Sequence, residues 1–185
     1  MPHIQLPEGL PGIRGPMAFS PETAKPLNEL ANALLQTDEG LSRAERELIA
    51  TYVSSENDCF FCQTIHGAVA SYYWGDENGE FVKAVKENYG LTAISAKLKA
   101  LLAIAGSVQK GGKQVTPEQV QEARQQGATD KDIHDTVLIA AAFCMFNRYV
   151  DGLATWAPEN PELYKFRATR IAESGYTADD HYMPK

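Results

Sequence analysis

The chain has no apolar run long enough to cross a bilayer. Its longest, Val137 to Phe146, falls well short of the roughly 20 residues that a spanning helix needs. Positive charge is not in excess either: the formal net charge is −7 and the isoelectric point lies near 5.1. That balance argues against nucleic acid, and against an anionic membrane surface, as the main partner. Residues 1–19 carry four prolines and no continuous apolar stretch, so they do not read as a secretory signal, and the expected location is cytoplasmic. Cysteine is scarce, with three in 185 residues. In a reducing compartment a close cysteine pair is catalytic or metal-binding rather than a structural staple. Sustained period-two alternation between hairpin turns is missing as well, which excludes a β-rich fold.

What remains is a set of helix signals. Hydrophobic residues make up 44% and charged residues 22%, enough apolar material for the core of one domain. Ser20-Pro21 opens a helix to about Gln36, with Leu27, Leu30, Ala31, Leu34 and Leu35 at helical spacing. Ser42-Arg43-Ala44-Glu45 is a capping box. Further helices are expected over 80–88, 93–109, from Thr116-Pro117 to a stop at Gly127, from Thr129 through the apolar Val137–Phe146 segment, and over 161–172. Apolar residues surround the Val137–Phe146 segment, which should therefore run through the core. The reading is an all-α helical bundle: an extended N-terminal arm over 1–19, a single helical domain over 20–174, and a polar tail over 175–185.

The chain is organised around Glu47 to His66. On a helix starting near Asp58, Cys59 and Cys62 are three apart, and Cys62 and His66 are four apart. Both spacings place side chains on one face. Upstream, Glu47 stands in a stripe of small residues, Ala50, Thr51 and Ser54, that would let another helix close over it. A thiol near a helix N-terminus gains thiolate character from the dipole and the unpaired N–H groups. A thiolate can attack a peroxide oxygen, and a His linked to a carboxylate can protonate the leaving oxyanion. The resulting sulfenic acid can condense with a second thiol one turn away, and an outside dithiol can restore the pair. No metal, haem or flavin is required, because the electrons pass through sulfur. Two other readings fit the same residues. One is a thiol–disulfide oxidoreductase or redox sensor without peroxidase turnover. The other is a zinc-binding interaction module with Cys59, Cys62, His66 and Glu47 as ligands, although most structural Cys-x-x-Cys zinc sites draw on a second cysteine pair and this chain has none.

Leu41-Ser42-Arg43-Ala44-Glu45-Arg46-Glu47-Leu48-Ile49-Ala50, then Ser54 to Cys59, Cys62 and His66, resemble the alkylhydroperoxidase D-like group of the carboxymuconolactone decarboxylase superfamily, and within it the peroxidase-related branch. Thr116-Pro117, Gly127 and Phe146-Asn147-Arg148 through Asp151-Gly152 are similar to that family's second half. The resemblance implies an all-helical homo-oligomer that reduces organic hydroperoxides. It implies Cys62 as the peroxidatic thiol, Cys59 as the resolving thiol, and His66 with Glu47 as proton relay. The implied reductant is a dithiol, either a lipoyl group or a thioredoxin-like protein. Better-known hydroperoxidase members carry a His two places after the first cysteine, where this chain has Phe61. On exposure alone, Cys59 would be the thiol that meets the reductant.

Other residues read more plainly. Tyr73, with Tyr72 or Trp74, is positioned to line a pocket beside His66, although at least two of the three should pack in the core. Cys144 reads as a buried inert thiol and His134 as a surface residue, with His3 and His181 in the arms. Arg148 and Asp151, three apart, read as an ion pair.

Overall fold

The computed structural model describes residues 1–177, and among them the chain is helical without a strand. The capping signals set the boundaries. Helix α1 spans Arg14–Phe19, α2 Pro21–Leu35, α3 Arg43–Glu56, α4 Phe60–Trp74, α5 Glu80–Asn88, α6 Ala96–Lys110, α7 Pro117–Gln125, α8 Asp130–Gly152 and α9 Pro161–Ser174. Ser42, Thr116 and Thr129 each close a full capping box with the residue three places on. Helix α6 starts later than expected because Ser95 takes the cap and accepts from the Leu98 N–H.

Helix α3 is the centre of the molecule. From Arg46 to Ser54 every residue is buried, because α4 lies on one side and α6 and α8 on the others. The small residues Ala50, Thr51 and Ser54 permit this close approach. Ser54 accepts a 3.0 Å hydrogen bond from Asn147 of α8, and a Cβ added at Gly67 of α4 would lie 3.5 Å from the Thr51 methyl. Arg46 is also enclosed. Its guanidinium donates to the carbonyls of Leu34, Glu39 and Leu41 and reaches Asp135 of α8 at 2.7 Å. A charge inside the protein is tolerated when each guanidinium nitrogen has a partner in this way.

The expectation that Val137–Phe146 is enclosed on all sides does not hold. Leu138, Ala141 and Met145, spaced three and four apart, form an exposed stripe on α8, whereas Ile139, Ala142, Phe143 and Phe146 face the core. The N-terminal arm lies on its own chain. The His3 N–H donates to Leu153 O and the Gly12 N–H to Trp156 O, and α1 closes the arm, so its last six residues, Arg14–Phe19, are helical and not extended as expected. Of the expected polar tail, residues 178–185, His181 included, lie outside the described residues. Gly175 is buried and Tyr176 turns inward, so the tail does not begin where polarity suggested. Among the described residues no single helix is long and apolar enough to cross a membrane.

Candidate active site

Glu47 is fully buried and its two carboxylate oxygens have different partners. Oε2 lies 2.8 Å from His66 Nδ1 on α4. Oε1 accepts a 2.6 Å hydrogen bond from the Tyr176 hydroxyl, which itself sits 3.1 Å from His66 Nδ1. A carboxylate facing Nδ1 fixes the imidazole with that nitrogen protonated, which leaves Nε2 as the nitrogen that exchanges protons. The ring is held on two sides: Phe143 meets it edge-on at 4.6 Å, and Tyr176 stacks on it at 5.8 Å.

Tyr176 is the residue that sequence reasoning missed. Gly175 ends α9 at φ +74°, and a Cβ there would come within 2.5 Å of Asn32 Oδ1, so only glycine fits beside that side chain. Asn32 Oδ1 in turn accepts from the Tyr176 N–H at 2.9 Å, which swings the ring inward. Burial and the adjacent Glu47 carboxylate raise the phenol well above its ordinary range, so it stays a proton donor at neutral pH. A signal was available, since a helix-ending glycine followed by an aromatic residue commonly packs that ring back on the helix or its neighbours.

Cys59 is the N-cap of α4 rather than its first residue, and Cys62 lies one turn in. The turn before them, with Asp58 at φ +55°, is pinned from two helices: Gln109 donates to Asn57 Oδ1, and Asn57 donates to Asn147 Oδ1. Both sulfurs are free and buried. Cys59, read from the sequence as the more accessible thiol, has no exposed surface, while Cys62 retains 4%. The Cys59 thiol is pushed up first by its hydrogen bond to Cys62 and then by burial, so it keeps its proton and offers it to the Cys62 sulfur. Asp151, expected to pair with Arg148, lies beside Cys59, and desolvation raises its carboxyl. Arg148 donates instead to the Cys144 carbonyl. Tyr164, pushed up to about 12 by burial and then by its electrostatic interaction with Cys62, packs on Phe61.

A cavity of about 60 Å³ is lined by Cys62, His66 and Tyr176 among mainly apolar side chains, including Ile13, Phe61 and Phe143. Cys59 is not part of its wall. Tyr73 does not reach this cavity. Its hydroxyl lies near Gln36 Oε1 and the Ala172 carbonyl, and of its neighbours Tyr72 and Trp74 are exposed rather than packed in the core. Cys144 is half-buried, with Asn57 Nδ2 3.6 Å from its sulfur, and His134 is exposed. Among the described residues no three of His, Cys, Asp and Glu converge so as to hold a metal ion. The four residues of the zinc reading are therefore not arranged as a ligand set: Glu47 spends its oxygens on His66 and Tyr176.

The model of the carboxymuconolactone decarboxylase family matches residues 21–71 and 79–157. Among solved structures, the chain is similar to an uncharacterized peroxidase-related protein from Silicibacter sp. TM1040, with 26% identity and a TM-score of 0.74 over 84% of this chain and 78% of that one. It is similar to an uncharacterized peroxidase-related protein from Ralstonia eutropha JMP134, described as an alkylhydroperoxidase AhpD core, with 27% identity and a TM-score of 0.74 over 84% and 81%. A protein of unknown function from Agrobacterium tumefaciens, at 21% identity and a TM-score of 0.67 over 78% and 96%, shares the fold. No curated protein matches the sequence.

Proposed function

Since this chain belongs to the carboxymuconolactone decarboxylase family and has the alkylhydroperoxidase D-like helical fold, we propose that it is a thiol peroxidase that reduces organic hydroperoxides, and hydrogen peroxide as well, through Cys62 and Cys59. The observation that carries this reading is the shared cavity: it brings Cys62 together with His66, whose other nitrogen is held by Glu47 and Tyr176.

The chemistry balances with these groups alone. His66 Nε2 takes the Cys62 thiol proton, the thiolate attacks the terminal peroxide oxygen, the O–O bond breaks, and Cys62 becomes a sulfenic acid. The departing alkoxide takes a proton from His66 Nε2, and Glu47 stabilises the imidazolium while it exists. Cys59 sulfur then attacks the sulfenic sulfur, hydroxide leaves as water, and a Cys59–Cys62 disulfide forms. The Cys59 thiol proton goes to that hydroxide, and Asp151, beside Cys59, is placed to carry it across. An external dithiol, a lipoyl group or a thioredoxin-like protein, returns two electrons by exchange. Over a cycle one hydroperoxide and one dithiol give one alcohol, one water and one disulfide. Phe61 packs on Tyr164 and lines the cavity, so it serves packing, and the relay runs through His66, Glu47 and Tyr176.

The exposed stripe of Leu138, Ala141 and Met145, with Phe19 and Ile4 also exposed, supports a homo-oligomer. The activity is tested by following peroxide consumption by reduced protein with a dithiol in excess. Repeated turnover supports the proposal. One stoichiometric oxidation without turnover would make the protein a redox sensor instead.

A further inference from the structure

The cavity next to Cys62 has one wall of a different character. Arg167 of α9 and Arg14 of α1 line it, with Asn28 of α2 between polar and apolar neighbours. Burial holds the Arg167 guanidinium down at about 10, repulsion from Arg14 and Arg170 adds to this, and the Tyr176 phenol opposes it. Arg14 is lowered by burial and by Arg170. Among the described residues no carboxylate pairs with Arg167. Arg167 is half-buried, so its guanidinium is thinly hydrated on the cavity side and gains from an anion brought against it. Arg14, Arg167 and Tyr176 all lie outside residues 21–71 and 79–157, so the ends of the chain supply the charged groups of this wall, while Asn28 comes from a segment matched to the family.

We infer that Arg167 selects hydroperoxides that carry a carboxylate a few bonds from the O–O group. The inference rests on the peroxidase reading above and names its substrate class. The cavity, at about 60 Å³, has room for a peroxide group and a few further atoms but not for a long acyl chain. A substrate with its O–O group at Cys62 therefore presents its next few atoms to the arginine wall. A carboxylate there gains charge-assisted, bidentate hydrogen bonds that a purely apolar substrate cannot make.

Two peroxides of matched shape test this: tert-butyl hydroperoxide, which is neutral, and 3-hydroperoxy-3-methylbutanoate, which adds a carboxylate to one methyl group. For the wild-type protein kcat/KM should favour the anionic peroxide by about tenfold, the effect of one hydrogen bond to a charged group, and the ratio should shrink with added salt. In Arg167→Gln the ratio should fall toward one, and Arg167→Lys should keep part of it. The redox-inert 3-hydroxy-3-methylbutanoate should inhibit competitively and raise the wild-type Tm but not that of Arg167→Gln. A wild-type ratio of one or less, or a ratio unchanged in Arg167→Gln, overturns the inference and leaves the peroxidase reading standing. Turnover of neither peroxide overturns the peroxidase reading itself, and the inference with it.

Discussion

The Tyr176 hydroxyl donates to Glu47 Oε1 at 2.6 Å across 129 positions of sequence, and it does so beside the nitrogen of His66 that Glu47 also holds. This contact ties the C-terminal end of α9 to the centre of the molecule. Tyr176→Phe keeps the ring stacked on His66 and removes only the hydrogen bond. The fold should survive and peroxide turnover should drop by about tenfold to a hundredfold, less than the loss of a group that itself transfers the proton, because Tyr176 acts through Glu47 and His66. The pH profile of kcat should shift as well, because Glu47 Oε1 loses its donor. An unchanged profile and rate would remove Tyr176 from the relay.

The two thiols should separate by the step each performs. Cys62→Ser should abolish both turnover and sulfenic acid formation. Cys59→Ser should still form one sulfenic acid per chain, trapped by dimedone, but should not turn over, since no second sulfur closes the cycle. The geometry behind this is that the cavity reaches Cys62 and not Cys59, and that Cys59 keeps its proton. Dimedone labelling of Cys62→Ser at the wild-type level would reverse the roles.

Phe61 lies between the two cysteines and directly beneath the arm. At Gly12 the backbone adopts φ +56°, and a Cβ built there would fall 2.2 Å from Phe61 Cδ1. Gly12→Ala therefore meets both a left-handed backbone cost of about 1–2 kcal/mol and a ring that must move. The predicted result is a loss of roughly 2–3 kcal/mol in denaturant midpoint experiments, with faster alkylation of Cys62 by iodoacetamide as the arm lifts. Equal stability and equal alkylation rates would mean that the arm does not cover the thiol.

How much of this was readable in advance follows from the range of each interaction. The three capping boxes join residues three apart, so Ser42, Thr116 and Thr129 could be identified from sequence alone. Cys59, Cys62 and His66 share one helix end, and their common face follows from helical geometry. Arg46 was not legible, because an arginine in a helix reads as surface until its partner, 89 positions away, is known. The enclosure of α8 was over-read for a related reason: composition around a helix records how apolar it is, but not which side meets the core. Arg148 and Asp151 show the limit of spacing arguments, since the carboxylate turned to Cys59 across the helix junction.

The Arg46–Asp135 pair makes a prediction about acid stability. Burial alone would raise the Asp135 carboxyl, but hydrogen bonds from Lys131, His134 and Arg46 outweigh it and hold the group at about 2, below its unfolded value of 3.8. A carboxylate depressed on folding adds stability above its unfolded pKa, and that stability is lost as pH falls toward the folded value. The contribution is roughly 2 kcal/mol, present above about pH 4 and lost between pH 4 and 2. In Asp135→Asn this part of the pH dependence should vanish. The variant should also lose about 3 kcal/mol at pH 7, because Arg46 stays inside with its three carbonyl partners but without a counter-charge. Urea midpoints of both proteins across pH 2–7 measure both effects. Parallel curves for wild type and variant would show that Asp135 does not carry the acid sensitivity.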